Sequence, residues 1–528
     1  MKIVTSEEMR LIENRCAQNG ISADMLMENA GLAVAQSARE FLGDVRSVPI
    51  LVLVGSGNNG NDGILAAHHL ANWGSDVTVY FTLASSDNDA KFKFLRDGDI
   101  PAYGLHDDVD FSLLAGQLAK ACLVIDAILG TGRTRPIDGD LATILSMVAD
   151  ERSNRPKMSL MALDVPSGLN ADTGELDPCC LAADVTVTLG YPKVGLFEFP
   201  GASYVGQLKR LDIGIPSSLA DDIPQDLITS DWVRRALPLR HLDSHKGTFG
   251  RVLIIAGSAR YIGAAYLACE GAARVGAGTV TLAIPRNLQP ILAAKLTETT
   301  YLPLPEDKGI LSNDASDVIL AEAHKYQAIL IGCGLGQRSD VANLLRQIIF
   351  TYRYPGVPLV LDADALNIMA TLPEWWNGLN GQAILTPHPG EMSRLTGIST
   401  SDINAARLNT TRELATKWNK SVVLKGAYTV ISSPAGQVRI SPFANPGLAS
   451  AGTGDVLAGV TVGLLAQGLL SFDAASCASY IHGAAGEQVR AAIGDTGMIA
   501  SDLLAQLPLV IKHLNEGTLN LDRVQVDA

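Results

Sequence analysis

The chain has 528 residues, 47% of them hydrophobic and 18% charged, which excludes global disorder and leaves room for two to four domains at the usual ~150 residues each. A formal net charge of −14 argues against nucleic acid or an anionic membrane as the main partner, although glycine loops and helix ends still bind phosphate on an acidic protein. The seven cysteines lack zinc-type spacing, residues 1–8 carry no apolar leader, and the longest apolar stretch, 456–470, is short and contains Gln467, so a cytoplasmic protein is expected.

Ser6 and the run Glu8-Met9-Arg10-Leu11-Ile12 open a helical stretch. Apolar runs follow at 50–54, 76–81, 123–125, 160–163 and 185–189, continuous as parallel strands buried on both faces are. The first leads into Gly55-Ser56-Gly57-Asn58-Asn59-Gly60-Asn61-Asp62-Gly63, with a helix expected over 64–73. Gly55-x-Gly57-x-x-Gly60 fits a dinucleotide fingerprint. Two features weaken that match: Asp87 lies too late to be the ribose-binding acid, and Asn58, Asn59, Asn61 and Asp62 add side chains that a pure phosphate turn does not need. Amide and carboxylate oxygens suit a hard cation or a hydroxylated ligand. Asp126 ends one strand ahead of Gly130-Thr131-Gly132-Arg133, and Asp164 ends another in Asp164-Val165-Pro166-Ser167-Gly168. Each aspartate alone reads as a turn or cap residue. Together at the carboxyl edge of a doubly wound sheet, Asn59, Asp126, Asp164 and Ser167 are expected to share a pocket.

The polar, proline-containing stretch 214–229 marks a seam and separates a first domain, 1–225, from a second, 226–528. Strands are expected at 251–256, 279–284, 328–331, 358–361, 383–385 and 422–424, with a helical segment over 262–277. Their ends carry Gly332-Cys333-Gly334, Asp362-Ala363-Asp364, Thr386-Pro387-His388-Pro389-Gly390-Glu391 and Lys425-Gly426. His388, between two prolines, reads as a ligand-orienting group; Asp362 and Asp364 read as water-mediated metal ligands or helix caps. The most informative stretch runs from Asn445 through Gly452-Thr453-Gly454-Asp455 into an apolar helix. Glycines let backbone N–H groups approach an anion, the helix N-terminus adds partial positive charge, and Asp455 falls in the first turn. An anion cradle beside a carboxylate, with Lys425 for charge, suits phosphoryl chemistry on a hydroxyl.

These motifs are specific enough to resemble a known family. The first half is similar to NAD(P)H-hydrate epimerase domains in Gly-x-Gly-Asn-Asn-Gly-x-Asp-Gly, Asp126-Ala127-Ile128-Leu129-Gly130-Thr131-Gly132 and Asp164-Val165-Pro166-Ser167-Gly168-Leu169. The second resembles ADP-dependent (S)-NAD(P)H-hydrate dehydratases in His245-Lys246-Gly247, Gly334-Leu335-Gly336, Asp362-Ala363-Asp364-Ala365-Leu366-Asn367, the 386–391 run, Lys425-Gly426 and Gly452-x-Gly454-Asp455. The order is that of the fused, bifunctional repair enzymes. The resemblance implies an α/β chain with a Rossmann-like doubly wound domain followed by a ribokinase-like one. It implies epimerisation of R and S NAD(P)H hydrates, then dehydration of the S form with ADP, giving AMP and phosphate. It places the hydrate of the first domain on Asn58, Asn59, Gly60, Asn61, Asp62, Gly130, Thr131, Gly132, Arg133, Thr134, Arg135, Pro136 and Asp164, and a potassium ion on Asn59, Asp126 and Ser167. In the second it places ADP, with Mg²⁺, on Lys425, Gly426, Ala427, Tyr428, Thr429, Asn445, Gly447, Gly452, Thr453 and Gly454, and the hydrate on Ala264, Gly334, His388 and Asp455. Asn61 stands where the family usually has Gly, and Cys333 where Pro is common, the latter with little consequence expected from its size.

Asp455 is the expected base for phosphoryl transfer and Asp164 the expected group at C6 in the first domain, with Asp126 given to the cation; the last two roles are interchangeable at this stage. Self-association through a sheet edge or helix face is expected. The rivals are a sugar or vitamin-precursor kinase for the second half, a dinucleotide-binding sensor for the first, and a Rossmann dehydrogenase.

Overall fold

The computed structural model describes residues 1–82, 90–132, 136–351, 356–519 and 524–526. They separate into two compact units, Met1–Ile223 together with the strand Val524–Val526, and the described residues from Pro224 to 519.

In the first unit, Pro49–Val54 (β1), Asp76–Phe81 (β2), Ala102–Gly104 (β3), Leu123–Ala127 (β4), Ser159–Leu163 (β5), Val185–Leu189 (β6) and Gln207–Leu211 (β7) form a parallel sheet ordered β7-β6-β5-β4-β1-β2-β3, with Val524–Val526 pairing parallel outside β7. The continuous apolar run of β1 has a simple cause. Ile50, Val52 and Val54 enter one core while Leu51 and Leu53 enter another, so both faces of the strand are covered. The strand order reverses between β1 and β4, and ligands bind outside the carboxyl ends at such a point. The helix expected over 64–73 starts earlier, spanning Asn58–Asn72 with Gly57 as N-cap. The polar loop residues Asn58 to Asp62 therefore form its first turns and expose helix N–H groups at the sheet edge. The N-terminal helix is Ser6–Gln18; Thr5, not Ser6, caps it, exchanging bonds with Glu8, while the Ser6 N–H and hydroxyl donate to Asp172.

The second unit holds Gln225–Leu227 (β8), Arg251–Ile255 (β9), Thr279–Pro285 (β10), Thr300–Leu304 (β11), the small hairpin Glu306–Asp307 (β12) and Ile310–Leu311 (β13), then Ala328–Ile331 (β14), Leu359–Leu361 (β15), Ala383–Leu385 (β16), Ser421–Leu424 (β17), Val430–Ser432 (β18) and Val438–Ile440 (β19). Its ten-stranded sheet is ordered β11-β10-β9-β14-β15-β16-β17-β18-β19-β8. It is parallel from β11 to β17, turns antiparallel through β18 and β19, and ends with β8 parallel to β19. Its order reverses between β9 and β14. The helix Thr453–Ala466 is buried along nearly its whole length and packs on Ile262–Arg274. Glycines permit the approach: a Cβ at Gly459 would overlap the Ala268 carbonyl, and one at Gly271 would lie 2.7 Å from the Val456 carbonyl oxygen. Among the described residues no helix is long and apolar enough to cross a membrane.

Candidate active sites

At the β1/β4 reversal, close packing dictates glycine. A Cβ on Gly55 would overlap the Ile128 carbonyl, and one on Gly60 the Gly55 carbonyl. The buried Asp126 carboxylate accepts from the Ser167 hydroxyl (2.6 Å), the Ser167 N–H (2.8 Å) and the Ile128 N–H (3.2 Å). Ser167 Oγ in turn accepts from the Leu129 N–H (3.0 Å), and the Leu129 carbonyl accepts from Asn59 Nδ2 (3.2 Å). Asn59, Asp126 and Ser167 thus meet through Leu129, with Gly130 packed against Asn59. Burial pushes the Asp126 carboxyl up, against its bonds to Ser167 and Ile128. Among the described residues no cationic side chain bonds it.

Asp164 directly follows β5 with φ +67, a left-handed conformation rare for a residue with a Cβ. Its Oδ1 accepts from the Lys193 ammonium, from the Leu189 N–H (3.0 Å) and from the Thr188 hydroxyl (3.3 Å). Lys193 is 1% exposed and also donates to the Leu189 carbonyl (3.1 Å). Burial, Asp164 and Glu13 push the Asp62 carboxyl up to about 8, with Lys193 opposing. Asp62 therefore holds a proton at neutral pH beside a paired Asp164. Sequence reasoning missed Lys193; its sole signal was a lysine between apolar residues in Tyr191-Pro192-Lys193-Val194-Gly195-Leu196. Of the remaining positions, Asn58 is exposed, Asn61 half-buried within the helix, Thr131 half-buried, and Gly132 and Pro136 exposed; Arg133, Thr134 and Arg135 lie outside the described residues.

In the second unit the strand ends converge. Lys425, after β17, donates to Asp362 Oδ1 (2.7 Å), which also accepts from the Thr386 hydroxyl (2.8 Å), and lies 3.7 Å from Glu391 Oε2. Burial alone would lower the Lys425 ammonium; Asp362 and Glu391 outweigh it and hold it above its ordinary value. Asp455 occupies the first turn of Thr453–Ala466, behind Gly452 with φ +91. Burial and the Asp362 charge push its carboxyl up to about 6, with the Cys333 thiol and Lys425 opposing. A Cβ on Gly454 would lie 3.5 Å from Lys425 Nζ, so cradle and ammonium are adjacent. Gly334 packs on Ala264: a Cβ there would come within 2.9 Å of the Ala264 Cβ. His388 is the N-cap of Pro389–Thr396; its Nδ1 accepts from the Gly390 N–H (3.0 Å), and Glu391 accepts from the His388 N–H (2.8 Å). Burial lowers its pKa, against Glu391.

Asp364 receives the Gly336 N–H (2.8 Å) and the Gln337 amide (2.9 Å), so it fixes a loop. Asn445 Oδ1 accepts from the Gly447 N–H (2.9 Å), whereas its buried Nδ2 finds no acceptor among the described residues. A buried orphan donor on the stretch that leads into the cradle is what a polar ligand satisfies. Ala427 is exposed, Tyr428 buried with φ +50, and the Thr429 hydroxyl donates to the Gly426 carbonyl (2.8 Å). His482 was missed: buried and pushed down to about 4 by that burial, it bonds the Thr453 carbonyl (3.0 Å) beneath the cradle. The expectation of little consequence at Cys333 considered size alone. Its thiol lies 3.9 Å from Asp362 Oδ2 and close to Asp455.

Residues 23–195 match the family described as YjeF-related protein N-terminus, and residues 252–509 match the family described as NAD(P)H-hydrate dehydratase. The chain is 41% identical to the bifunctional NAD(P)H-hydrate repair enzyme Nnr of Moorella thermoacetica, over 98% of each chain. It is 34% identical to the same-named protein of Thermofilum pendens, over 98% of this chain and 97% of that one. Among solved structures it is similar to an ADP/ATP-dependent NAD(P)H-hydrate dehydratase of Bacillus subtilis co-crystallised with ATP and Mg²⁺, at 34% identity and TM-score 0.47, covering 55% of this chain and 98% of that one. Matched in both halves and over nearly its whole length, the chain belongs to the family of bifunctional NAD(P)H-hydrate repair enzymes.

Proposed function

We propose that this chain repairs hydrated nicotinamide dinucleotides at two sites. The first unit epimerises the R and S hydrates, and the second dehydrates the S form to NAD(P)H with ADP as co-substrate. The observation that carries the second activity is Asp455: a carboxyl near pKa 6, in the first turn behind a glycine cradle, beside a fully charged Lys425. In this reading Asp455 accepts the proton of the C6 hydroxyl as that oxygen attacks the β-phosphorus of ADP and AMP leaves. The 452–454 amides and Lys425 face the transferred charge. Phosphate then departs, the ring nitrogen's electron pair and loss of a C5 proton restoring the dihydropyridine. Mg²⁺ is expected to enter on the diphosphate and neutralise its charge.

In the first unit, Asn59, Asp126 and Ser167 fit a potassium ion: all offer oxygen, and the buried Asp126 lacks a cationic partner among the described residues. Such an ion supplies fixed positive charge beside the hydrate. Lys193 keeps Asp164 oriented, Asp164 assists opening and closing at C6, and Asp62 brings a proton.

The test is recovery of reduced-nicotinamide absorbance from mixed R and S NADH hydrates, with and without ADP and Mg²⁺. Full recovery requiring ADP is expected. Fast recovery of the S portion followed by a slow spontaneous phase removes the epimerase. A product that retains the phosphoryl group instead of releasing it makes the second unit a kinase.

A further inference from the structure

We propose that Cys333, Asp362 and Asp455 form a binding site for a thiophilic divalent metal ion, with zinc as the best fit, and that the ion silences dehydration by occupying the carboxylate the reaction needs. The effect on dehydration rests on the role given to Asp455 above; the binding site does not.

One ligand atom from each residue lies within 4.8 Å of the other two. The Cys333 sulfur and Asp362 Oδ2 are 3.9 Å apart, close to the roughly 3.5 Å that separates two tetrahedral zinc ligands with bonds of about 2.3 and 2.0 Å. Both strong donors to Asp362, Lys425 and Thr386, take Oδ1. That leaves Oδ2, on a side chain 2% exposed, facing the thiol. The ligands stand on three rigid supports: the turn after β14, the end of β15 and the first helical turn of Thr453–Ala466. The Cys333 carbonyl accepts from the Gly257 N–H (2.8 Å), and a Cβ on Gly332 would overlap the Asp362 carbonyl, so little rearrangement is available or needed. Asp455 is only half-buried, so a water can complete the coordination from the open side.

Burial, Asp455 and Asp362 hold the thiol protonated. Binding exchanges that proton for the metal: M²⁺ and the thiol give a metal thiolate and H⁺. No residue lacking a thiol offers this chemistry at position 333.

The experiment uses the full chain stripped of transition metals and assayed with ADP, Mg²⁺ and potassium, its epimerisation serving as internal control. Zinc is expected to abolish dehydration at about one equivalent per chain, EDTA matched to the zinc with Mg²⁺ kept in excess to restore it, and epimerisation to persist. Cys333→Ala is expected to raise the zinc concentration for half-inhibition at least tenfold. Should that variant turn over too slowly to assay, cadmium titration in a Cys122→Ala/Cys179→Ala/Cys180→Ala background, which removes the exposed thiol, reads the site directly. One equivalent gives a thiolate-to-cadmium absorption band that disappears on adding Cys333→Ala. Equal zinc sensitivity with and without Cys333, equal loss of both activities, or a cadmium band that survives Cys333→Ala overturns the proposal. Absence of dehydration in the zinc-free wild type supplied with ADP and Mg²⁺ overturns the functional reading instead, and the cadmium band still decides the site.

Discussion

Asp455 is poised to change charge within the working pH range. Because burial and Asp362 raise its carboxyl to about 6, the carboxylate that accepts the hydroxyl proton is lost as pH falls through that value. Dehydration should therefore decline on the acid side with an apparent pKa near 6, read from the pH profile of kcat/KM, which reports the free enzyme. Asp455→Asn should reduce turnover by about a hundredfold or more while leaving epimerisation intact. Its melting temperature should not fall, since a neutral amide removes the cost of a half-buried charge; turnover within a few-fold of wild type removes Asp455 as the base. Asp62 supplies a second pH argument. Its folded pKa of about 8 lies above the unfolded value of ~3.9, so the folded state holds an extra proton between those limits. Its contribution to stability is fully present below about pH 4 and is lost as pH rises toward 8. Asp62→Asn, neutral throughout, should flatten the fall in unfolding temperature between pH 5 and 8, measured by calorimetry. Lys193→Met leaves the Asp164 carboxylate without its ammonium and should destabilise by ~3–5 kcal/mol, the usual result of breaking one side of a buried pair.

At the scale of elements, the contact between Thr453–Ala466 and Ile262–Arg274 positions the second site. A Cβ on Gly459 meets backbone, which cannot rotate away, so Gly459→Ala should force the helices apart at a cost of ~1–3 kcal/mol. Thr453–Ala466 carries the cradle and Asp455, so dehydration should fall more than stability alone explains, and ADP KM should rise. The long parallel strands were legible because both faces are buried, so apolar and β-branched residues, threonine among them, run nearly without a break. The strands β3, β8, β18 and β19 were not: their three residues include Gly104, Asp226, Ser432 and Arg439, whereas β15 and β16, equally short, are wholly apolar. The helix beginning at Asn58 was hidden by Asn and Gly, poor helix interiors that serve well at an N-terminus. The aspartates and glycines at strand ends announced themselves by position. Lys193 and His482 did not, because their roles depend on partners reached only through folding: Asp164, 29 residues away, and the Thr453 carbonyl, 29 residues away in the other unit's own sequence.

At the scale of the whole molecule, the chain closes its first sheet with its last described residues. Val524–Val526 lies parallel against β7, pairing Val524 with Leu208 and Val526 with Arg210, so β7 is an inner strand. Removing residues 520–528 makes β7 an edge, with a row of unpaired backbone groups open to water or to another chain. Epimerisation should then lose thermal stability and the protein should gain a tendency to associate, while dehydration keeps its midpoint, because β7 belongs to the sheet of the first unit and not to the second. Thermal inactivation of the two activities, followed in the same sample, separates these outcomes; equal loss of both activities contradicts the assignment of the strand to the first sheet. The same geometry bears on how the first unit is tested. A fragment spanning 1–225 lacks this strand, so its failure to epimerise does not make the unit a mere binding module. The fair comparison is the full chain carrying Asp455→Asn, in which the sheet is complete and only the second chemistry is removed.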